Sequence, residues 1–360
     1  MRILQLVDGD RWTGPAAVVF GQTEALIQAG VEAQFGFIGE SLLSRRLLPL
    51  GWARPLLCRP KGPLSYAGQV RRLRDTILRE KFDIVHAHRS FDHTVAAFAL
   101  RGTPARLVRT LHHIRHARPD PLIRLVFART QAFAYANRAI ARAFGRPGRV
   151  LPPVVDTQRF RPGGKRELRR RLGLPADRFL VGTVGKMSRG RGHEESLEAL
   201  ARLPEQAALV HVGHGEHLES LKKRAGALGR GERNFWLGYQ EEILPELYRC
   251  WDAFLLPASG ADQGQRAILE ALASGLPVVA LDVPGVRDLV TEEVEGFIAP
   301  DVPGLAAALA RLYEEESLRR AMAERARARS LDFTNRSFAE KAIPVYEEVL
   351  APSPSGREPG

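Results

Sequence analysis

A chain of 360 residues, 44% hydrophobic and 26% charged, is about twice the usual domain length and has the makeup of a folded protein with two cores. No run approaches the roughly 18 apolar residues of a spanning helix, nothing near Met1 reads as a signal peptide, and Cys58 and Cys250 stand alone. A transmembrane bundle is therefore not expected, neither a disulfide framework nor a zinc site can be argued from cysteine, and a cytoplasmic location is expected. The net charge of +12 is uneven: residues 1–160 hold 25 Lys and Arg against 11 Asp and Glu, leaving 28 against 30 for the rest. The basic half suits nucleic acid, an anionic membrane surface or a phosphorylated acceptor, and a spread of solvated arginines is the plainer alternative.

In chain order, Met1 to Val7 reads as a strand, and the run from Pro15 reads as an amphipathic helix stopped by Gly30. Between them stands Asp8-Gly9-Asp10, the spelling of a carboxylate pair on a divalent ion. Its place after a first strand assigns it instead to the loop that enters the helix. Ser41 to Arg54 mixes Leu and Trp with Arg in a way suited to a membrane interface, although Pro49 and Gly51 break any long helix. Further strands are expected at 33–38, 84–87 and 107–111, with helices between. Leu151 to Asp156 and Arg161-Pro162-Gly163-Gly164 break the pattern as a linker would. A second cycle follows, with strands at 179–184, 208–212, 234–237, 253–256 and 278–281. Alternation of this kind predicts parallel sheets with helices on both faces, hence an α/β fold of two Rossmann-like domains, 1–155 and 156–335. A last helix spans 338–350, and the Pro/Gly-rich end, 351–360, is expected to be disordered.

Three loops carry the chemistry. Gly185-Lys186-Met187-Ser188-Arg189-Gly190-Arg191-Gly192 follows the strand 179–184 and places flexible cations among glycines, which suits a diphosphate when no metal neutralises it. The spacing is not that of a P-loop, and no Ser or Thr follows Lys186. Gly213-His214-Gly215 and Gly238-Tyr239-Gln240 end two further strands, where glycine permits close backbone approach and Tyr239 offers a face to a base. His211, His214 and His217 invite a metal reading, but they cross from strand to turn and do not share a face. In Pro257 to Asp288, Glu270 interrupts the apolar helix formers Ala267 to Ala273, and Asp262 lies eight positions earlier in a Gly-rich loop. A carboxylate in such a helix needs a partner, and Glu270 is expected to point out of the packed face toward hydroxyls or cations near the helix start.

This last segment, with its words LEALASGLPVVA, resembles the E-x7-E stretch of the family 4 retaining glycosyltransferases, Asp262 standing for the first Glu and Glu270 for the second. Gly185 to Gly192 resembles the family's G-R-x4-K-G with Lys186 and Arg191 exchanged in type. Thr110-Leu111-His112 resembles its T-x-H, with His113 a competitor for the same role. Asp83 to His88 resembles its D-x-x-H-x-H strand, where His86 reads as a satisfied core residue.

The resemblance implies the GT-B architecture, two Rossmann-like domains facing a cleft, with the helix 338–350 returning to the first. It implies a metal-independent retaining enzyme without a cofactor, moving a sugar from a nucleotide-diphosphate donor to a sugar, lipid-linked or lipopolysaccharide acceptor. Catalysis would fall to His112, Asp262, Lys186 and Arg191. Donor binding would fall to Gly14, Gly185, Lys186, Arg191, Gly215, Tyr239, Asp262, Gly264, Gln265 and Glu270. An anionic membrane surface is a candidate partner of the basic domain, and nucleic acid is not expected. A nucleotide-sugar epimerase of the same fold and a non-catalytic nucleotide-sugar-binding relative stand as alternatives.

Overall fold

The computed structural model describes residues 1–9, 14–114, 120–258 and 265–352. The chain divides into two compact units, Met1–Val154 with the segment from Asn335, and Val155–Thr334. The expected tail lies mostly outside the described residues.

The first unit runs β1 (Arg2–Leu6), α1 (Gly14–Gln28), β2 (Glu32–Ile38), α2 (Leu42–Leu47), β3 (Ala53–Leu57), α3 (Pro63–Glu80), β4 (Ile84–Ala87), α4 (Ser90–Ala99), β5 (Arg106–Leu111), α5 (Pro121–Ala128), β6 (Ala132–Tyr135), α6 (Arg138–Phe144) and β7 (Arg149–Val150). Its strands form one parallel sheet in the order β3-β2-β1-β4-β5-β6-β7. Strands β3, β6 and β7 are absent from the sequence reading. Strand β3 lies at the sheet edge, where Pro55 forfeits no interior hydrogen bond.

Ser41 to Arg54, read above as an interfacial segment, is part of this fold. Leu47 is buried, and Trp52 packs on Phe20 at a ring separation of 5.0 Å. Arg45, Arg46 and Leu48 stay exposed.

The second unit runs α7 (Lys165–Arg171), β8 (Phe179–Val184), α8 (His193–Ala201), β9 (Ala207–Val212), α9 (Leu218–Ala227), β10 (Asn234–Trp236), α10 (Leu244–Cys250), β11 (Ala253–Leu256), α11 (Gln265–Ala273), β12 (Val278–Leu281), α12 (Val286–Leu289), β13 (Gly296–Ala299), α13 (Val302–Glu314) and α14 (Glu316–Ser330). Its parallel sheet has the order β10-β9-β8-β11-β12-β13. Strand β13, four residues opened by Gly296, is a further strand the sequence reading lacks. The continuous apolar runs of β8, β11 and β12 are buried on both faces, as interior parallel strands must be.

The chain then re-enters the first unit as α15 (Asn335–Leu350), whose Phe338, Ala342 and Tyr346 join Ile3 and Leu26 in one apolar cluster. Asn335 donates to the Gln28 Oε1 at 3.0 Å, and Arg149 pairs with Glu348 at 2.8 Å. In both sheets the strand order reverses beside the first strand of the unit, between β1 and β4 and between β8 and β11. Crevices at the C-terminal strand ends of such switch points are where open α/β sheets take ligands.

Candidate functional site

In the second unit the basic loop, 185–192, leaves the C-terminal end of β8 and is pinned from below. Met187 is fully buried among Leu197, Leu221 and Ala225, so Lys186 and Arg191 flank an apolar anchor. The neighbouring turn, 213–215, touches this loop backbone to backbone. The Met187 N–H donates to the His214 carbonyl at 3.2 Å, the His217 N–H to the Met187 carbonyl at 3.0 Å, and the Gly185 N–H to the Val212 carbonyl at 3.0 Å.

Both glycines of the turn are required by that approach: a Cβ on Gly213 would lie 1.9 Å from the Gly185 oxygen, and one on Gly215 would lie 2.2 Å from the Met187 oxygen. The G-x-G turn is therefore a spacer that lets two strand-end loops meet. Lys186 reaches Glu216 at 3.2 Å in a pair exposed on both sides, which is worth little in water and yields readily to an incoming anion. The first turn of α8 carries Glu194 and Glu195, so that helix end is not itself an anion site.

The next turn is tied to the same edge, the Gly213 N–H donating to the Gly238 carbonyl at 2.8 Å. Tyr239 is 64% exposed, with its hydroxyl 3.1 Å from Glu241, leaving a ring face available to a planar group. His211 turns inward. It stacks on Trp236 with centroids 3.9 Å apart and bonds Asn234 at 2.9 Å, and burial pushes its imidazole down to about 3. Among the described residues no group of three or more His, Cys, Asp or Glu is placed to hold a metal.

Glu270 sits in the middle of α11 and is only 4% exposed. Its two oxygens have separate partners: Arg266 donates from Nε at 2.8 Å, and the buried Tyr248 hydroxyl donates at 3.0 Å. Burial, then the Glu270 charge, drives the Tyr248 phenol well above its usual range, so it remains a donor. Glu270 thus stays inside the packed face and does not point out of it, because the cation and the hydroxyl it needs are both supplied by the protein, the cation one turn back along the same helix. Asp262 and Gly264 lie outside the described residues, as does the side chain of Gln265; Gly14 opens α1.

In the first unit the histidines lie at or just past the ends of β4 and β5. His86 is a satisfied interior residue, bonded to the Tyr346 hydroxyl at 2.8 Å and to the Thr110 hydroxyl at 2.7 Å. His88 stacks on it with centroids 4.3 Å apart and links outward to His112, Nδ1 to Nε2, at 3.2 Å. Inward, His88 Nε2 meets the Gln5 Oε1 at 2.6 Å. Burial and the Arg109 charge hold His112 well below the usual histidine range, so it is neutral at pH 7. His112 joins this network and keeps partial exposure, while His116 lies outside the described residues.

Beside the network, Arg109 pairs with the fully buried Asp92, which also accepts from the Arg89 and His88 backbone amides at the start of α4. Arg89 reaches Asp8 at 2.8 Å on the wall of a pocket of about 340 Å³ lined by Asp8, Ile38, Arg59, Pro60, Arg89 and Phe91. Asp8 is thereby a partner of Arg89; Asp10 is outside the described residues. Tyr248, Arg266, Gln5 and Tyr346 are absent from the sequence reading, and Met187 figures there only as a letter of the basic loop, with no role. Of these only Arg266 carried a usable signal, its spacing of four from Glu270.

Two parallel α/β units with polar candidates gathered at their strand ends define a ligand-binding α/β protein of the doubly wound class, and its relatives narrow this further. Residues 164–329 match the model for glycosyl transferases group 1, and residues 12–159 match that for glycosyltransferase family 4. A D-inositol 3-phosphate glycosyltransferase of Geodermatophilus obscurus is 32% identical over 310 residues, covering 76% of this chain and 68% of that protein. The lipopolysaccharide core biosynthesis mannosyltransferase LpsB of Rhizobium meliloti is 31% identical over 219 residues, covering 57% of this chain and 62% of that one. Among solved structures, Anabaena HepE in complex with UDP superimposes with a TM-score of 0.86 at 21% identity, covering 97% of this chain and 100% of HepE. The chain belongs to the family 4 glycosyltransferases of the group 1 type and has the GT-B fold.

Proposed function

We propose that this glycosyltransferase moves a sugar from a nucleotide-diphosphate donor to an acceptor hydroxyl with retained anomeric configuration, in the synthesis of a cell-envelope polysaccharide, lipopolysaccharide or glycolipid. The observation that carries the reading is the pinned loop of the second unit. Lys186 and Arg191 flank the buried Met187 at the C-terminal end of β8, beside glycine turns that bring the loop against the edge carrying exposed Tyr239. Cations held on a rigid strand end suit a diphosphate, and an exposed aromatic ring on the same edge suits a base. HepE, solved with UDP and with UDP-glucose, supports a nucleotide sugar as donor.

In this reading Lys186 and Arg191 stabilise the leaving diphosphate without a metal, and one of its oxygens takes the proton from the acceptor hydroxyl on the face the donor bond leaves. The sugar crosses through an oxocarbenium-like state, so no dedicated nucleophile is required. Asp262 and the amides after it would hold sugar hydroxyls and Glu270 the ribose, and His112 would meet a sugar hydroxyl at the strand ends of the first unit.

The acceptor side is proposed to be the first unit, whose Asp8, Arg59 and Arg89 line a pocket suited to a hydroxylated, partly anionic group. The basic excess of residues 1–160 and the exposed Arg45 and Arg46 support an encounter with an acceptor at the cytoplasmic face of an anionic membrane. No helix among the described residues is long and apolar enough to cross a membrane. Incubating the protein with a panel of nucleotide sugars and candidate acceptors, read by mass spectrometry, tests the reading. Acceptor-dependent consumption of one donor is expected, and binding without consumption of any donor would replace transfer with a sensing role.

A further inference from the structure

The hydrogen-bond chain behind His112 has a direction. Gln5, on β1 and fully buried, presents Oε1 to His88 Nε2 at 2.6 Å and donates from Nε2 to the Tyr346 hydroxyl at 3.0 Å. The two amide orientations are distinguished by the shorter contact. Nitrogen-to-oxygen hydrogen bonds cluster near 2.9–3.0 Å and tighten toward about 2.7 Å, and a nitrogen-to-nitrogen contact does not shorten to 2.6 Å, so the atom facing His88 is the carbonyl oxygen.

A carbonyl only accepts. The proton on that contact therefore belongs to His88 Nε2, which leaves Nδ1 of the neutral ring as a lone pair. The remaining contact, His88 Nδ1 to His112 Nε2 at 3.2 Å, then holds a hydrogen only if His112 supplies it. The other branch is consistent with this assignment. Tyr346 accepts from Gln5 and donates to His86 Nδ1 at 2.8 Å, and His86 donates from Nε2 to the Thr110 oxygen at 2.7 Å. Burial keeps both His88 and His112 well below the usual histidine range, so the neutral forms that the chain of bonds requires are the ones present.

We propose that Gln5, acting through His88, fixes His112 as its Nε2–H tautomer, so that His112 Nδ1 is an obligatory hydrogen-bond acceptor and takes a sugar hydroxyl at the strand ends of the first unit. Gln5 and His88 are then positioning residues and His112 the group that touches substrate, a reading that rests on the proposed sugar transfer. A substrate whose group at that point is a hydroxyl is accepted, and one bearing an ether or a fluorine there is refused, because neither carries a proton to give. The opposite tautomer would present an N–H, which a hydroxyl or an ether oxygen can equally accept, and the preference would be lost.

Long-range proton–nitrogen spectra of the full chain labelled at its histidines, with His112 assigned by its loss in His112→Gln, read the tautomer without reference to catalysis. An unprotonated Nδ1 and a protonated Nε2 are expected at both His112 and His88; a proton on His112 Nδ1 overturns the proposal. The functional half uses two variants that both lose the ring stack on His86. In His88→Asn the amide oxygen takes the place of Nδ1 and accepts from His112, whereas His88→Leu offers nothing. At matched thermal stability the Leu variant should lose on the order of 10-fold or more in kcat, and the Asn variant should recover most of that loss. Equal rates in the Asn and Leu variants overturn the positioning role. If the wild-type chain transfers no sugar at all, the transfer reading fails while the spectra still decide the tautomer.

Discussion

Replacing Gly215 by alanine should break the donor loop while leaving the rest of the second unit folded. The added Cβ would sit 2.2 Å from the Met187 carbonyl oxygen and 2.6 Å from its carbon, against an ordinary contact near 3.4 Å, so the two loops must separate by about 1 Å. Met187 cannot follow, because its side chain is wedged beneath α8 and α9 among Leu197, Leu221 and Ala225. Separation therefore stretches the two hydrogen bonds that join the loops, Met187 to His214 and His217 to Met187. Two such bonds at about 1 kcal/mol each, with overpacking of about 1 kcal/mol or more, amount to roughly 2–4 kcal/mol. For a unit of this size that lowers Tm by roughly 5–15 °C. A cationic loop displaced by about 1 Å should lower the transfer rate on the order of 100-fold. Thermal unfolding measures the first effect and donor turnover the second, and calorimetric titration with nucleoside diphosphates shows whether the displaced loop still binds. The control is Gly226→Ala on α9, where a Cβ meets nothing within 4 Å and helix propensity favours alanine by about 1 kcal/mol. Wild-type Tm together with wild-type nucleotide affinity in Gly215→Ala would refute the role of the turn as a spacer.

Glu270→Gln keeps an acceptor for Tyr248 but loses the charged partner of Arg266, so nucleotide affinity should fall on the order of 10-fold with a small loss of stability; unchanged affinity in calorimetry removes Glu270 from the donor site. Lys186→Ala combined with Arg191→Ala should nearly abolish transfer while excess chelator leaves the wild-type rate almost unchanged, and activity lost to chelator and restored by manganese would shift the diphosphate contacts to a metal. His211, held neutral down to about 3, binds no proton in the folded unit between there and the unfolded value near 6.5, so stability falls as pH drops through that window, by roughly 2 kcal/mol at pH 5. Denaturant unfolding of wild type and His211→Gln at pH 7.5 and pH 5 checks this: the variant should lose that part of the acid sensitivity, and identical pH dependence contradicts the assignment. Sedimentation with anionic vesicles should exceed that with neutral ones and weaken with salt; equal binding to both favours a soluble acceptor.

What was readable in the sequence follows from how local each signal is. The runs Phe179–Val184 and Val278–Leu281 announce interior strands because burial on both faces permits no polar alternation. Strand β3 was hidden because Pro55 is tolerable only where no ladder hydrogen bond is lost, as at an edge, and edge status is a property of the assembled sheet. Lys186, Arg191 and the glycine turns were visible as text, but the role of Gly215 as a spacer emerges only when β8 and β9 pair and bring Met187 beneath it. Arg266 was legible as the partner of Glu270 from helical spacing, whereas Tyr248, 22 positions away on α10, was not. The same holds for Gln5 and Tyr346, which meet across 341 positions when α15 returns to the first unit, so no periodicity marks either as a support of His112.

Sugar transfer with retention is tested most directly by proton NMR of the product formed from an α-linked nucleotide sugar, followed from the first turnover so that the anomeric coupling is read before any equilibration. An α-linked product that appears only when acceptor is present, with stoichiometric release of nucleoside diphosphate, is the predicted result. A β-linked product contradicts the retaining mechanism, and conversion of the nucleotide sugar without an acceptor contradicts transfer itself.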